Sequence, residues 1–282
     1  MKLLEARPLA QEMESTLKER VAQLAELGRR PKLVAVASKP DEASQAYLSS
    51  QAKIAQRLGI EYKVVEPSHA DERAYLGIIR ELNEDTSVNG VILLTPLPSG
   101  VNEMNVLVAL SPQKDVEGIT PHNLGSLFYE REIMAPCTAE ATLRLAEYYG
   151  VDFSGKNVVI IGRSVVVGKP LALMLLKRSR SATVTVCHTK TRDLTSITKK
   201  ADILIVAAGR PKLIGREHVP KGCVVLDVGI NSVDGKLVGD VDFEAVKDVV
   251  SAITPVPGGV GRITTLVLME HVVKTTETVV SV

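Results

Sequence analysis

An α/β fold of two parallel-sheet domains is what the sequence predicts, on three observations. Short aliphatic runs alternate with helix-spaced patterns along most of the chain, the order that builds parallel strands joined by crossover helices. Apolar residues make up 45% of the 282 residues, with no Trp and three Phe. Aliphatic side chains must therefore build the cores, as they do in parallel sheets covered on both faces. Residues 157–176, NVVIIGRSVVVGKPLALMLL, run from a strand through a glycine-bounded loop into a helix N-terminus. The free N–H groups and positive dipole end of such a helix suit a phosphate, and the order resembles a dinucleotide-binding unit. The spacing of Gly162 and Gly168 is not the usual G-x-G-x-x-G, so a turn needing glycine for its conformation alone reads equally well at this point.

Met13, Leu17, Val21, Leu24 and Leu27 recur at helical spacing and predict a helix over 9–27, stopped by Gly28 and Pro31. A buried strand is predicted at 32–38, a helix at 43–58 ended by Gly59, and a strand at 62–66. Asp71 reads as the N-cap of a helix over 71–83, and 88–94 as a third strand that runs into Thr95-Pro96-Leu97-Pro98. Loops and short helices fill 101–132, and the domain boundary falls within 130–150. A helix over 138–149 follows, with Thr138 as candidate N-cap and Gly150 as its end. Strands at 158–161, 183–187, 203–207 and 223–228 build the second domain, with a helix opened by Pro170 and helical turns near 194–200. A short strand at 252–254 leads into PVPGGVGRIT and a last helix over 265–277. Ligands of open parallel sheets sit beyond the carboxyl ends of the strands. The loops after 38, 94, 161, 187, 207, 228 and 254 all meet that rule, and the simplest geometry has them facing one cleft.

Net charge is +1 and no long basic run exists, so neither nucleic acid nor a membrane surface is the expected partner. Glu5, Arg7 and Glu12 stand where a signal peptide needs an apolar stretch, and no 18-residue apolar run is present to span a membrane. Cys137, Cys187 and Cys223 are far apart. They read as reduced thiols of a cytoplasmic protein, not as a disulfide frame or a zinc site, and no metal is expected.

Three constellations carry chemistry. In the glycine loop Arg163 can reach a phosphate. Cys187-His188-Thr189-Lys190-Thr191 ends the next strand, where a dinucleotide's adenosine ribose is usually held. An acidic residue there would favour NAD. Hydroxyls and Lys190 match a 2′-phosphate better, so NADP is the expected cofactor with NAD possible; the alternative is that Lys190 and Arg192 form a solvated loop. On the helix over 43–58, Ser44, Tyr47 and Gln51 share one face, whereas Lys53, about 200° round from Gln51, does not. Tyr47 there either stacks on a flat ligand ring or packs in the core. The loop 255–261 holds two prolines and three glycines, more than an ordinary turn needs.

Together these residues resemble the methylenetetrahydrofolate dehydrogenase/cyclohydrolase family over nearly the whole chain. The marks, in order, are S-x-x-Y at 44–47, PLP at 96–98, KDV-x-G at 114–118 and PCT at 136–138. They continue with GRS-x-x-VG-x-P at 162–170, CH-x-KT at 187–191, DVGIN at 227–231 and TPVPGGVG at 254–261. The resemblance implies a catalytic, folate-binding domain of residues 1–136 completed by 265–282, a Rossmann-type NAD(P)-binding domain over 137–264, a cleft between them and a homodimer. It implies hydride transfer from 5,10-methylenetetrahydrofolate to NADP+, giving 5,10-methenyltetrahydrofolate in one-carbon metabolism. Hydrolysis of that product to 10-formyltetrahydrofolate is the family's second activity. By the same resemblance Tyr47 stacks on the folate ring, and Ser44, Leu97, Pro98, Gly258 and Gly259 line the substrate site. Thr138, Gly162, Arg163, Ser164, His188, Thr189, Ile230 and Thr264 hold or flank the cofactor.

The departures from the family pattern gather on the folate side. The family's catalytic lysine lies four residues after the tyrosine, where this chain has Gln51. The Gln before PLP is Thr95, the second Asp of KDVDG is Glu117, PCT-P-x-G has become PCTAEA, and the Pro-Met after GGVG is Arg262-Ile263. Hydrolysis of a methenyl cation needs water activated and protons moved, which a lysine of tuned pKa does. Gln51 has no group that titrates near neutral pH, so it orients a water without relaying its proton; losing such help costs about 10²–10⁴-fold. Thr95 shortens the opposing amide, and Glu117 carries its charge one methylene further out. Tyr47, Gln51, Thr95 and Glu117 are therefore the candidate catalytic residues of a dehydrogenase whose cyclohydrolase activity is weak or absent. Three alternatives stand beside it: a fully bifunctional enzyme with a repositioned water, a non-catalytic NADP- or pterin-binding homologue, and an enzyme for a related pterin.

Overall fold

The computed structural model describes residues 1–38 and 40–278. Two compact units divide the chain: Met1–Ala10 with Thr138–Thr264, and Gln11–Cys137 with the described residues from Thr265 on. The elements up to the first crossing between them are β1 (Lys2–Leu3), α1 (Arg7–Glu26), β2 (Lys32–Val36), α2 (Glu42–Leu58), β3 (Glu61–Val65), α3 (Glu72–Glu84), β4 (Gly90–Leu93), α4 (Glu103–Ala109) and α5 (Pro121–Phe128). The remainder are α6 (Cys137–Tyr148), β5 (Asn157–Ile161), α7 (Gly168–Leu176), β6 (Thr183–Cys187), α8 (Leu194–Thr198), β7 (Ile203–Val206), β8 (Val224–Asp227), β9 (Asn231–Val233), β10 (Lys236–Val238), α9 (Phe243–Val246), β11 (Ala252–Ile253) and α10 (Val260–Thr278).

In the unit built on Gln11–Cys137 the sheet order is β3-β2-β4, all parallel, with Val34 aligned to Lys63 on one side and Val91 on the other. β2 is the centre strand, and its aliphatic run from Leu33 to Val36 is buried on both faces, as a parallel strand between helices requires. One face packs Val34, Val36 and Val91 against Tyr75 and Ile79 of α3 and Val106 of α4. Asp41 caps α2 by accepting from the Ser44 N–H at 2.8 Å, and Gly59 ends it in the left-handed region. Asp71 caps α3 in the same way, accepting from the Ala74 N–H, as the sequence predicts.

The other unit carries a six-stranded sheet of order β1-β11-β8-β7-β5-β6, parallel throughout. Aliphatic residues of β5 and β7 fill its centre at almost no exposure. β9 and β10 form an antiparallel hairpin across Asp234-Gly235, both at positive φ as a two-residue hairpin turn demands.

Several boundaries differ from the sequence reading. α6 begins at Cys137, so Thr138 lies inside its first turn and is not the N-cap; its carbonyl accepts from the Thr142 hydroxyl at 2.7 Å. α10 begins at Val260, within the glycine-rich loop, and not at 265. β1 pairs with β11, which puts the first ten residues with the six-stranded sheet and not with the unit formed by most of 1–136. Among the described residues no helix is long and apolar enough to cross a membrane. The three cysteines are buried and none forms a disulfide.

Candidate active site

In the unit of Thr138–Thr264, the glycine loop stands at the carboxyl end of β5, flanked by the ends of β6 and β7. The Gly162 N–H donates to the Cys187 carbonyl at 2.9 Å and the Ala207 N–H to the Ile161 carbonyl at 2.8 Å. Gly162 has φ +126°, and a Cβ there would run into the Ala207 carbonyl; a Cβ at Gly168 would strike the Gly162 carbonyl. The loop thus closes so tightly that neither position admits a side chain. Ser164 holds it from within, accepting from the Val167 N–H through Oγ (3.1 Å) and from the Lys169 N–H through its carbonyl (3.0 Å). Among the described residues no side chain caps the N-terminus of α7. Arg163 and Ser164 are exposed at this end.

The segment after β6 is a compact turn. The His188 N–H donates to the Thr191 hydroxyl at 2.8 Å, and His188 Nδ1 accepts from the Lys190 N–H at 3.1 Å. His188 is half-buried, whereas Thr189, Lys190 and Arg192 are exposed. Two exposed cations and two hydroxyls beside an uncapped helix form a donor set with no acidic side chain in the 187–192 turn. That chemistry fits a dinucleotide with an added ribose phosphate.

Two buried carboxylates hold the neighbouring loops. Asp240 is fully buried and accepts from the N–H groups of Ala208 (2.6 Å), Gly209 (2.9 Å) and Arg210 (2.8 Å), and from Asn231 Nδ2 (2.9 Å). Asp227 accepts from the Asp240 and Val241 N–H groups at 3.1 and 3.0 Å; burial pushes its carboxyl up to about 7, partly offset by these donors. The Thr254 hydroxyl bridges the Asp227 N–H and carbonyl, tying β8 to β11. Ile230 is exposed beyond β8, with its side chain against Gly261. Thr264 donates to the Val260 carbonyl within α10, and Gly258 and Gly259 occupy the turn before that helix. The sequence reading did not single out Asp240, although an Asp amid G-D-V-D after the hairpin was a visible signal for backbone capture.

The folate-side candidates other than Gly258 and Gly259 lie in the other unit. Gln51 on α2 is fully buried, and its Oε1 accepts from the Tyr62 hydroxyl of β3 at 2.9 Å. Among the described residues its buried Nε2 has no partner in good hydrogen-bond geometry, although it lies close enough to the Tyr47 phenol to influence it. A buried amide donor without a partner costs about 1–3 kcal/mol. Tyr47 keeps 44% of its surface exposed while its hydroxyl end is desolvated, which raises its pKa, with the Glu117 charge adding to the rise. Tyr62 is raised for the same reason, with Tyr47 and Glu117 as further contributors. Burial pushes the Glu117 carboxyl up to about 8, with Asp115 adding and the backbone at Leu93 opposing, although the residue as a whole is only half-buried. Tyr47, Gln51, Tyr62 and Glu117 therefore form one electrostatic cluster.

Asp115 builds the turn that presents Glu117. Its Oδ1 accepts from the Gly118 N–H at 2.9 Å, and its Oδ2 from the Thr120 N–H at 2.7 Å and from Asn123 Nδ2 at 2.8 Å. Gly118 sits at φ +71°, and a Cβ there would meet the Ala135 backbone at 2.6 Å. Lys114 points away, donating to the Leu82 and Asp85 carbonyls at the end of α3.

The remaining candidates are less closely joined. Thr95 is exposed at a cis peptide to Pro96, and among the described residues no hydrogen bond links it to Gln51, Tyr47 or Glu117. Leu97 packs partly against the unit's core, Pro98 is half-buried, and Ser44 gives its N–H to the Asp41 cap. Lys53 is exposed, whereas Gln51 is buried, so the two occupy different faces of α2. The sequence reading missed Tyr62, because only the pairing of β3 with β2 carries it to Gln51.

Two family profiles match this chain. One, described as the catalytic domain of tetrahydrofolate dehydrogenase/cyclohydrolase, matches residues 4–117, and the other, its NAD(P)-binding domain, matches 136–280. The chain belongs to the tetrahydrofolate dehydrogenase/cyclohydrolase family. The bifunctional protein FolD of Thermosipho africanus is 53% identical over 275 residues, 98% of each chain. The FolD methylenetetrahydrofolate dehydrogenase/cyclohydrolase structure from Campylobacter jejuni has TM-score 0.95 at 40% identity, covering 99% of this chain and 100% of its own. The Trypanosoma brucei dehydrogenase-cyclohydrolase, solved with NADP cofactor and an inhibitor, has TM-score 0.93 at 32% identity, covering 99% of this chain and 98% of its own. Within this chain the glycine loop and the 188–191 turn lie in the segment matched as NAD(P)-binding, and Tyr47, Gln51 and Glu117 in the segment matched as catalytic.

Proposed function

We propose that this protein oxidises 5,10-methylenetetrahydrofolate with NADP+ and hydrolyses the methenyl product weakly or not at all. The observation that carries this reading is the buried Gln51, a neutral amide at the position where the family has its lysine, with its oxygen already engaged by Tyr62. An amide orients a water or a carbonyl but moves no proton, so hydrolysis loses its general acid–base step. Oxidation asks less of the site, since its product is a cation and no proton has to be relayed. Bound NADP+ supplies the hydride acceptor. Arg163, Ser164 and the end of α7 suit its pyrophosphate, and Thr189 and Lys190 suit a 2′-phosphate. Tyr47, with its ring surface exposed, suits stacking on the pterin. Glu117 lies in the same cluster and gains charge as pH rises toward 8, where a carboxylate favours a nascent methenyl cation.

The test supplies methylenetetrahydrofolate and NADP+ and follows the methenyl absorbance. Accumulation of the methenyl product at a rate proportional to enzyme supports the reading. NADP+ binding without turnover would instead make the chain a binding module. A second reading, a bifunctional enzyme, draws on the near-neutral titration of Glu117, the one group of the cluster able to exchange a proton in that range. In that case Glu117→Gln would abolish hydrolysis.

A further inference from the structure

An amide side chain has two unlike ends, and its site is defined only when something decides which end faces which neighbour. At Gln51 that decision is made from outside α2. The Tyr62 hydroxyl, on β3, donates to Oε1 at 2.9 Å, which leaves Nε2 buried beside the Tyr47 phenol, with no partner in good hydrogen-bond geometry among the described residues. Both residues are held. Tyr62 stands opposite Leu33 in the β2–β3 ladder, and Gln51 is fully enclosed on α2. A donor fixed in that way, in a place where water does not reach it freely, is a site waiting for an acceptor.

We propose that Tyr62 is the positioning residue of the folate site, its hydroxyl holding the Gln51 amide so that Nε2 is presented to an acceptor on the pterin. This rests on the reading of Gln51 and Tyr47 as the folate side of a dehydrogenase, and it assigns the residue that makes a glutamine usable in a lysine's position. A lysine presents a donor in any rotation about its terminal bond. A glutamine presents one only when its oxygen is engaged elsewhere. Tyr62 supplies that engagement.

The experiment is a double-mutant cycle on the full chain: wild type, Tyr62→Phe, Gln51→Ala and the double variant. kcat and KM are measured for methylenetetrahydrofolate and for NADP+. Phe keeps the ring and its packing. Tyr62→Phe is expected to lower kcat/KM for the folate about tenfold, the scale of one neutral hydrogen bond. KM for NADP+ should stay within about twofold, and the same substitution should change the Gln51→Ala enzyme by less than about twofold, since nothing remains for the hydroxyl to hold. A loss of equal size in both backgrounds, or no loss in the wild type, overturns the proposal. If the wild type itself oxidises no methylenetetrahydrofolate, the functional reading falls separately. The cycle is then read in tetrahydrofolate affinity, where the same non-additive pattern supports the role of Tyr62 and additive losses overturn it.

Discussion

The two loop systems treat their polar groups in opposite ways. In the unit of Thr138–Thr264 the ligand-type side chains Arg163, Ser164, Thr189 and Lys190 are exposed, and buried carboxylates secure the backbone beneath them: Asp240 alone takes three N–H groups and an amide. In the unit of Gln11–Cys137 the chemistry itself is buried. Gln51 is enclosed with an unpaired donor, and the Tyr47, Tyr62 and Glu117 hydroxyls and carboxyl are desolvated enough to shift their ionisation. The first arrangement suits recognition of a charged ligand by exposed groups on a rigid frame. The second suits control of protonation state, because only desolvated groups have their pKa values moved far. Two of the departures from the family pattern, Gln51 and Glu117, fall in the second arrangement, where one side-chain change alters which protons can move.

The comparison breaks most visibly at Gln51. Gln51→Lys restores a titrating amine and is expected to raise methenyl hydrolysis by about 10²-fold or more, measured as decay of added methenyltetrahydrofolate. No gain would shift the deficit to Thr95 and Glu117. Gly162→Ala attacks the other side. Its Cβ meets the Ala207 carbonyl at φ +126°, so NADP+ affinity should fall about 10²-fold, by titration, while tetrahydrofolate binding stays as in the wild type. Asp240→Asn puts an NH2 against backbone donors and should cost about 2 kcal/mol in thermal unfolding, read as a lowered Tm.

For Glu117 the sign of the effect follows from the raised pKa. Between the ordinary 4.5 and about 8 the folded protein holds a proton that the unfolded chain has released, so this group's contribution to stability is lost as pH rises through that window. Glu117→Gln should flatten that loss in a pH series of Tm values. In the wild type the oxidation rate should climb severalfold through about pH 8 as the carboxylate forms, and the variant should show no such rise.

Much of the fold was legible because its signals are local. The β2 run KLVAV, the cap Asp71, and the strand–glycine loop–helix order at β5–α7 are written in adjacent residues. The short strand read at 252–254 is β11, which pairs with β8 as well as β1, whereas the two residues of β1 are too few to show a period and form a strand only by pairing with β11. The β9–β10 hairpin had a readable Asp-Gly turn that went unused, and the start of α10 was hidden by glycines that ordinarily end helices. At the site, Gln51 and Glu117 stood out as departures from a pattern. Tyr62 and Asp240 did not, because what each does depends on a partner brought close only by folding.

Whether a buried, neutral Gln51 separates oxidation from hydrolysis is decided by taking both rates from one preparation. Methylenetetrahydrofolate with NADP+ reports oxidation, and methenyltetrahydrofolate added alone reports hydrolysis, each against enzyme concentration. Oxidation proportional to enzyme, with methenyl decay no faster than in buffer, is the predicted result. Methenyl decay that scales with enzyme and keeps pace with oxidation would contradict the account.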